Sequence, residues 1–224
     1  MPDMNVLPNE RLLREKVKSG SLDADDYRAL ASLLCETNRF DEALALLRAS
    51  LRLHPPNLSR AALLTLLGWY VNDITGDTEE PLSLGEQAAA LTEGLETIEA
   101  LTVRAQAQSL IAECAWNTDS KRAAAAADSA LSLLARVTDA SSSHNITKMG
   151  ELHLAAARLN MMLGRSEEAA MRCKEALHVA REPVELVLSL TELGVAYRNS
   201  GKLAARDVPS RPSAISLRCS NRFS

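Results

Sequence analysis

Four histidines and four cysteines are the residues of this 224-residue chain best suited to hold a metal or to attack a substrate. Tetrahedral metal sites place such ligands at short, repeated spacings, and a nucleophilic thiol needs a base within reach. His54 adjoins Pro55 at a helix end, His144 falls in a serine-rich loop, and His153 and His178 lie on helices with no acidic or Cys partner at ligand spacing. No His-x-x-x-His pair occurs, and Cys173 and His178 are separated around their helix. Cys35, Cys114, Cys173 and Cys219 are scattered, and three of them sit in apolar helical patterns. They read as small buried side chains of a reducing compartment, not as a disulfide frame. Phosphate chemistry finds no better support. Gly85 and Gly94 stand in helical patterns with no Gly-Lys-Ser element beside them, and there is no Gly-x-Gly-x-x-Gly. The residues therefore assign no catalytic group, no metal and no cofactor, and the chain reads as a non-enzyme.

Charge narrows the partners. A formal net charge of −4 gives no electrostatic reason to expect nucleic acid, whose binding needs a basic face that displaces counterions. Lys121–Arg122 is followed by five alanines, which helix propensity explains better than nucleic-acid contact. Asp77–Thr78–Glu79–Glu80 reads as a solvated loop. No stretch approaches the roughly 20 consecutive apolar residues of a membrane span. Met1–Pro2–Asp3–Met4 lacks the basic and apolar regions of a secretory signal, so the expectation is a cytoplasmic protein that does not enter a membrane.

The elements behind these residues are helices. Aromatic residues make up only 3% of the chain while Leu and Ala abound, a composition that favours close helix packing and disfavours a sheet. Over Ala24–Asn57, Tyr27, Leu30, Ala31 and Leu34 mark one helix, and Phe40, Ala43, Leu47 and Ser50 mark a second that Pro55 stops. Asn38–Arg39 forms the turn between them, because Asn tolerates the left-handed conformation that ends a helix. Gly150–Pro183 repeats the pattern, with Gly164–Arg165 as the turn and Ala156, Ala157, Ala169, Cys173 and Ala176 at the helix contacts. Acidic residues open the second helix both times, at Asp41–Glu42 and Glu167–Glu168, where the helix dipole favours them. Weaker copies lie between. Leu67–Gly68–Trp69–Tyr70 sits on a helix from about Ser59 to Ile74, and Leu84, Ala88, Leu91, Leu95 and Ile98 recur at helical spacing as its partner. Arg104–Val137 holds another pair, with Leu110, Ile111 and Cys114 facing Ala123, Ala127 and Ala130. Enlarged connections are expected at Asp73–Pro81 and Thr138–Lys148.

These segments, with Glu192–Leu193–Gly194–Val195–Ala196–Tyr197 near the C-terminus, resemble the tetratricopeptide repeat (TPR) family. The unit of that family is a helix pair of about 34 residues. The resemblance implies an all-α solenoid of antiparallel helix pairs, wound as a right-handed superhelix, whose first helices line a concave groove. Transferred position by position, the groove places fall on Arg28, Ser32 and Cys35, then Thr65, Trp69 and Asn72, then Gln108, Ala112 and Trp116. The later repeats contribute Leu154, Arg158, Met161 and Met162, and finally Arg198 and Asn199. Trp and Arg most often dominate binding energy, and Met adapts to varied apolar partners. The carboxylate clamp of the family's chaperone co-factors is not matched, since Arg28, Ser32, Leu66, Ala105 and Ser109 stand where its cationic and amide donors belong.

The implied function is a non-catalytic scaffold or adaptor that grips a peptide or protein surface. Two alternatives are the repeat-containing sensor part of a larger bacterial regulatory protein and the repeat portion of a glycosyltransferase. Three zones are expected: a capping helical segment over 1–23 with Leu12, Leu13 and Val17 as its apolar side, a repeat domain over 24–203, and a disordered or aberrant tail over 204–224. The tail starts where the motif requires a second helix, as in an ordinary disordered terminus or in a truncated or frame-shifted repeat protein. The last helix, about Val184 to Ser200, is thereby left with Leu186, Leu190 and Leu193 uncovered, a surface suited to self-association.

Overall fold

In the computed structural model, residues 8–19, 23–141, 146–180 and 183–200 are described, and every regular element among them is an α-helix. The described residues divide into two compact units at Glu93–Gly94. The first holds α1 (Pro8–Lys18), α2 (Ala24–Glu36), α3 (Phe40–Leu51), α4 (Asn57–Thr75) and α5 (Glu79–Leu91). The second holds α6 (Ile98–Ala115), α7 (Ser120–Ser141), α8 (Ile146–Met162), α9 (Ser166–Val179) and α10 (Pro183–Asn199). Neighbours in sequence pack as pairs: α2 with α3 and α4 with α5, then α6 with α7 and α8 with α9. The all-α architecture of stacked helix pairs is the one expected.

Two of the turns that close these pairs share one hydrogen-bond pattern. After α2, the Arg39 amide donates to the Leu34 carbonyl and the Asn38 amide to the Cys35 carbonyl, at 2.8 and 2.9 Å. After α8, the Arg165 amide donates to Asn160 and the Gly164 amide to Met161, at 2.8 and 3.1 Å. Both are Schellman motifs, which satisfy the last helical carbonyls and require a left-handed residue just past the end. Asn38 and Gly164 supply it with φ of 59° and 72°. The next helix then starts at once. Arg39 and Arg165 accept the amides of Ala43 and Ala169 at 3.1 and 3.0 Å.

Alanines set the spacing between helices. Ala31, Ala43, Ala61, Ala123, Ala127, Ala130, Ala157, Ala169 and Ala176 are all fully buried. Where two backbones approach over a Cβ instead of a longer side chain, flanking residues such as Leu30, Leu34 and Leu47 fill the remaining volume at crystal-like density. On α4, the residues from Ala61 to Gly68 are all buried, because α2, α3 and α5 pack around this helix. Its polar residue Thr65 is satisfied internally, donating to the Ala61 carbonyl at 2.9 Å.

The N-terminal helix docks through charge rather than through its leucines. Leu12 is 57% exposed, whereas Glu10 is only 1% exposed. Glu10 accepts from Arg14 at 2.8 Å and from Arg39 at 2.7 Å, and both arginines also bind Glu42 at the start of α3. The expected apolar side is thus partly reversed: Leu13 and Val17 are half-buried, and Leu12 faces outward because the ion pair with Arg39 fixes the roll of the helix.

Other expectations of the middle repeats shift. Asp73–Pro81 is no enlarged connection. Only Gly76–Thr78 separates α4 from α5, since Gly76 adopts a left-handed φ of 71° and the Asp77 carboxylate accepts from the Glu79 amide at 3.0 Å, starting the next helix. Glu79 and Glu80 are therefore helical, not loop, and Glu80 pairs with Arg48 of α3 at 3.1 Å. The helix carrying Leu84, Ala88 and Leu91 ends there. Leu95 and Ile98 are exposed, because Gly94 is left-handed and the Thr97 hydroxyl, accepting from Ala100 at 3.2 Å, opens α6. The tail 204–224, Cys219 and His144 lie outside the described residues, as do 142–145; the rest of the connection expected at Thr138–Lys148 is helical, 138–141 closing α7 and 146–148 opening α8.

Two expectations follow for stability. Ala43→Leu, which adds three carbons where no space exists, is expected to lower unfolding free energy by about 1–3 kcal/mol, and Leu47→Ala by about 2–5 kcal/mol, both read by urea denaturation. The second concerns acid. Burial alone pushes the Glu10 carboxyl up, but the hydrogen bonds and charges of Arg14 and Arg39 outweigh it and hold Glu10 below its ordinary 4.5. Stability from a depressed carboxylate is present above its unfolded value and lost as pH falls through the folded one. Amide protection of α1 is therefore expected to drop first in acid below pH 4.5, and Glu10→Gln to remove it at neutral pH at a cost of about 2 kcal/mol.

Candidate protein-binding surfaces

In the first unit the surface is built by α2 and α4. Ser32 of α2 and Tyr70 of α4 hold the two helices together, their hydroxyls 3.2 Å apart. Arg28, one turn before Ser32, is half-buried and paired with Asp25 at 3.3 Å, while its buried Nε makes no hydrogen bond. Trp69 and Asn72 are half-buried on α4, three residues apart and hence on one face. Cys35 and Thr65, assigned to the groove by position, are instead buried in helix contacts and offer nothing to a partner. α4 is enclosed more completely than a lining helix, which is why Thr65 turns inward.

In the second unit Gln108 is half-buried on α6, and Trp116 is 41% exposed at its C-terminal end. The Trp116 amide still donates to Glu113, so the indole stands where α6 gives way to the turn before α7. Ala112 and Leu154 are buried and drop out of the surface. On α8, the Arg158 Nε donates to Glu192 of α10 at 2.8 Å. Met162 is half-buried, whereas Met161 packs with Leu193 and Tyr197 against the buried Ala169, Ala170 and Ala196. Arg198 and Asn199 are exposed at the end of α10. Of the last helix's leucines, Leu186 and Leu190 are exposed with Val187, but Leu193 is covered by α9.

Sequence spacing missed the charged partners. Arg158 and Glu192 are 34 residues apart, one repeat length, so a search for opposite charges at that interval would have found them. His153 likewise has an acidic neighbour, contrary to expectation: its Nδ1 lies 3.1 Å from Glu175 of α9. A spacing test within one helix cannot see a carboxylate on the next. Arg172 binds the same carboxylate oxygen at 2.9 Å, and Nδ1 makes no hydrogen bond.

Burial holds two groups of the second unit, Cys173 and His153, in their neutral forms at neutral pH. Burial, supplemented by Glu192 and opposed by Arg158, pushes the Cys173 thiol up to about 11, so the nucleophilic thiolate is scarce. Cys35 and Cys114 are buried as well. Burial depresses His153 below its ordinary 6.5, with Arg172 acting in the same direction and Glu175 against it. A buried neutral His must charge as the chain unfolds in acid, so its contribution to stability is complete above 6.5 and is lost as pH falls. Between about pH 7 and about pH 5, the wild-type chain is expected to lose stability more steeply than His153→Leu; parallel denaturation profiles would contradict this.

Solved structures with the same arrangement decide the architecture. BtubC (BKLC) from P. vanneervenii superposes with a TM-score of 0.56 at 17% identity, over 86% of this chain and 82% of that one. A Podosopora anserina protein described as a kinesin light chain with nearly identical TPR-like repeats matches in two crystal structures. In one the TM-score is 0.53 at 19% identity, over 88% of this chain and 90% of that one. In the other it is 0.52 at 18% identity, over 87% and 89%. The fold is a TPR-like helical repeat. At the level of sequence, no family model and no curated protein matches the chain. The likeness is thus one of backbone: helix pairs of the TPR kind carried by a largely different sequence.

Proposed function

We propose that this TPR-like chain is a non-catalytic scaffold that holds a peptide or a protein surface against the inner helices of its repeats. The observation that supports this most is the state of Trp69. On a helix whose residues from Ala61 to Gly68 are all buried, the largest side chain of the segment keeps part of its surface in water, with Asn72 one turn further on and Arg28 on α2. An indole left partly in water beside amide and guanidinium groups is the composition of an interaction hot spot. Trp116 plays the same part in the second unit, with Gln108 on the same helix and Arg158 on α8. In this reading each unit has its own contact residues, with Met162, Arg198 and Asn199 added in the second.

No helix among the described residues is long and apolar enough to cross a membrane. The partner in this reading is a protein segment encountered in the cytoplasm. Its recognition rests on an aromatic or aliphatic anchor against the indoles and on polar contacts to Asn72, Gln108 and the arginines. The chain's own last helix, exposing Leu186, Val187 and Leu190, is an additional surface for self-association in the same reading.

The measurement is affinity capture followed by titration of the recovered partner. Trp69→Ala is expected to weaken that partner by about tenfold or more, and Trp69→Ala with Trp116→Ala to abolish recovery, while circular dichroism keeps its helical signal. Undiminished binding by the double variant would refute the assignment of these surfaces.

A further inference from the structure

α10 opens a repeat whose second helix is not among the described residues. In earlier repeats the small residue of the Leu-Ala or Leu-Gly step is covered: Ala31 of α2 and Gly68 of α4 are buried. Their counterpart Gly194 is not, since a Cβ placed there would meet nothing within 4 Å. Glycine weakens a helix interior relative to alanine, and close approach of another backbone is one gain that offsets this. Val187 and Leu190, on the same side of α10, are 62% and 57% exposed. The face that a second helix covers in the other pairs is thus open here and apolar.

The sequence after Ser200 is a poor source of that helix. The second helices α3, α5 and α9 are 12, 13 and 14 residues long. One that started after a turn like Thr37–Arg39, at about Leu203, would hold Pro209 and Pro212 in its interior, where proline removes a hydrogen bond and clashes with the preceding turn. A second copy of α10 suits the face better, because the face is symmetric. By the helical period, Pro183, Val187, Leu190, Thr191, Gly194 and Arg198 share it, and the intervals between them, 4, 3, 1, 3 and 4, read the same from either end. Laid antiparallel across a two-fold axis, Val187 of one copy meets Gly194 of the other, a branched side chain over bare backbone, and the two Leu190 side chains meet at the axis. Leu186 falls beside Tyr197. No like charges come together: the four central positions are uncharged, and the two Arg198 lie at opposite ends of the pair. Glu185 and Glu192 are on the far side of the helix, Glu192 bound to Arg158 at 2.8 Å.

We propose that this face of α10 pairs with the same face of a second copy of the chain, each α10 standing where the other's second helix belongs. The interface is isologous, as a two-fold axis requires. It gives a register to the self-association surface of the scaffold reading and uses neither tryptophan. A single helix pair lies at the low end of specific interfaces, below about 1,200 Å² in total, so the dimer is transient, with a dissociation constant of micromolar order.

Sedimentation equilibrium of the full chain tests this. The apparent mass is expected to rise with concentration from 24.2 kDa toward twice that value. Leu190→Glu should weaken association about tenfold or more. Gly194→Leu should do the same with an undiminished melting temperature, because its first added carbon has open space within the chain. On a Cys219→Ser background, mixed Val187→Cys and Gly194→Cys chains should cross-link under mild oxidation. Val187→Cys alone should not, its two copies lying about 10 Å apart along the helix axis. Trp69→Ala with Trp116→Ala should dimerise as the wild type does, so the groove and the dimer fail separately; a dimer lost in that variant would overturn the assignment to α10. A chain monomeric up to about 0.5 mM, well above a micromolar constant, would overturn the proposal and leave the face to the chain's own tail or to a foreign helix. A dimer left intact by Leu190→Glu and Gly194→Leu would overturn it as well, and cross-linking of Val187→Cys only with itself would overturn the antiparallel register.

Discussion

Close approach of helices over alanine is the constraint on which the rest of the structure depends. Each helix pair is held at a distance set by a methyl group at positions such as Ala43, Ala127 and Ala169, none of which retains any exposed surface. A longer side chain there would drive the pair apart and displace Leu47 or Leu134 from its packing. A few aromatic residues suffice for such a core, since small residues and leucine together reach native density without large rings. Tyr27 and Tyr70 are the exceptions, and Tyr70 serves also as a tie between α2 and α4 through Ser32.

This constraint explains why the strong repeats were legible from residue types. Ala, Leu and a left-handed residue followed by acidic helix starts form a pattern with one physical solution, and the turns at Asn38 and Gly164 adopt the same hydrogen bonds despite different residues. The pair α6 and α7 was legible for the same reason, with Leu110, Ile111 and Cys114 buried opposite Ala123, Ala127 and Ala130. Where the pattern loosened, local capping decided the outcome. Asp77 and Thr97 start helices through side-chain hydrogen bonds that extend two or three residues, a signal that hydropathy spacing does not carry. Charged stretches such as Glu79–Glu80 look like loop by composition, yet they suit the positive end of a helix dipole.

The surface was less legible than the core. Positions transferred from a repeat template gave Cys35, Thr65, Ala112 and Leu154 as groove residues, and all four are buried. A template fixes the angle of a residue around its helix, but exposure depends on how many neighbours surround that helix, which changes from repeat to repeat. Long-range ion pairs were invisible for a related reason. Glu10 with Arg39, Arg158 with Glu192 and His153 near Glu175 join residues on different helices.

Those pairs bear directly on how such a surface could bind. A free arginine gives up rotamer entropy on meeting a partner, and that cost subtracts from affinity. Arg158 is already held by Glu192, and Arg28 by Asp25, so much of the ordering is complete before any partner arrives. The indoles add area with only two torsions each to fix. The same carboxylates limit the charge that the arginines can offer, which favours partners that use amide and aromatic contacts over strongly acidic ones. In the scaffold reading proposed above, alanine-spaced helices would thus set the kind of recognition as well as the fold: preorganised, modest in charge, and anchored on the partly exposed Trp69 and the exposed Trp116.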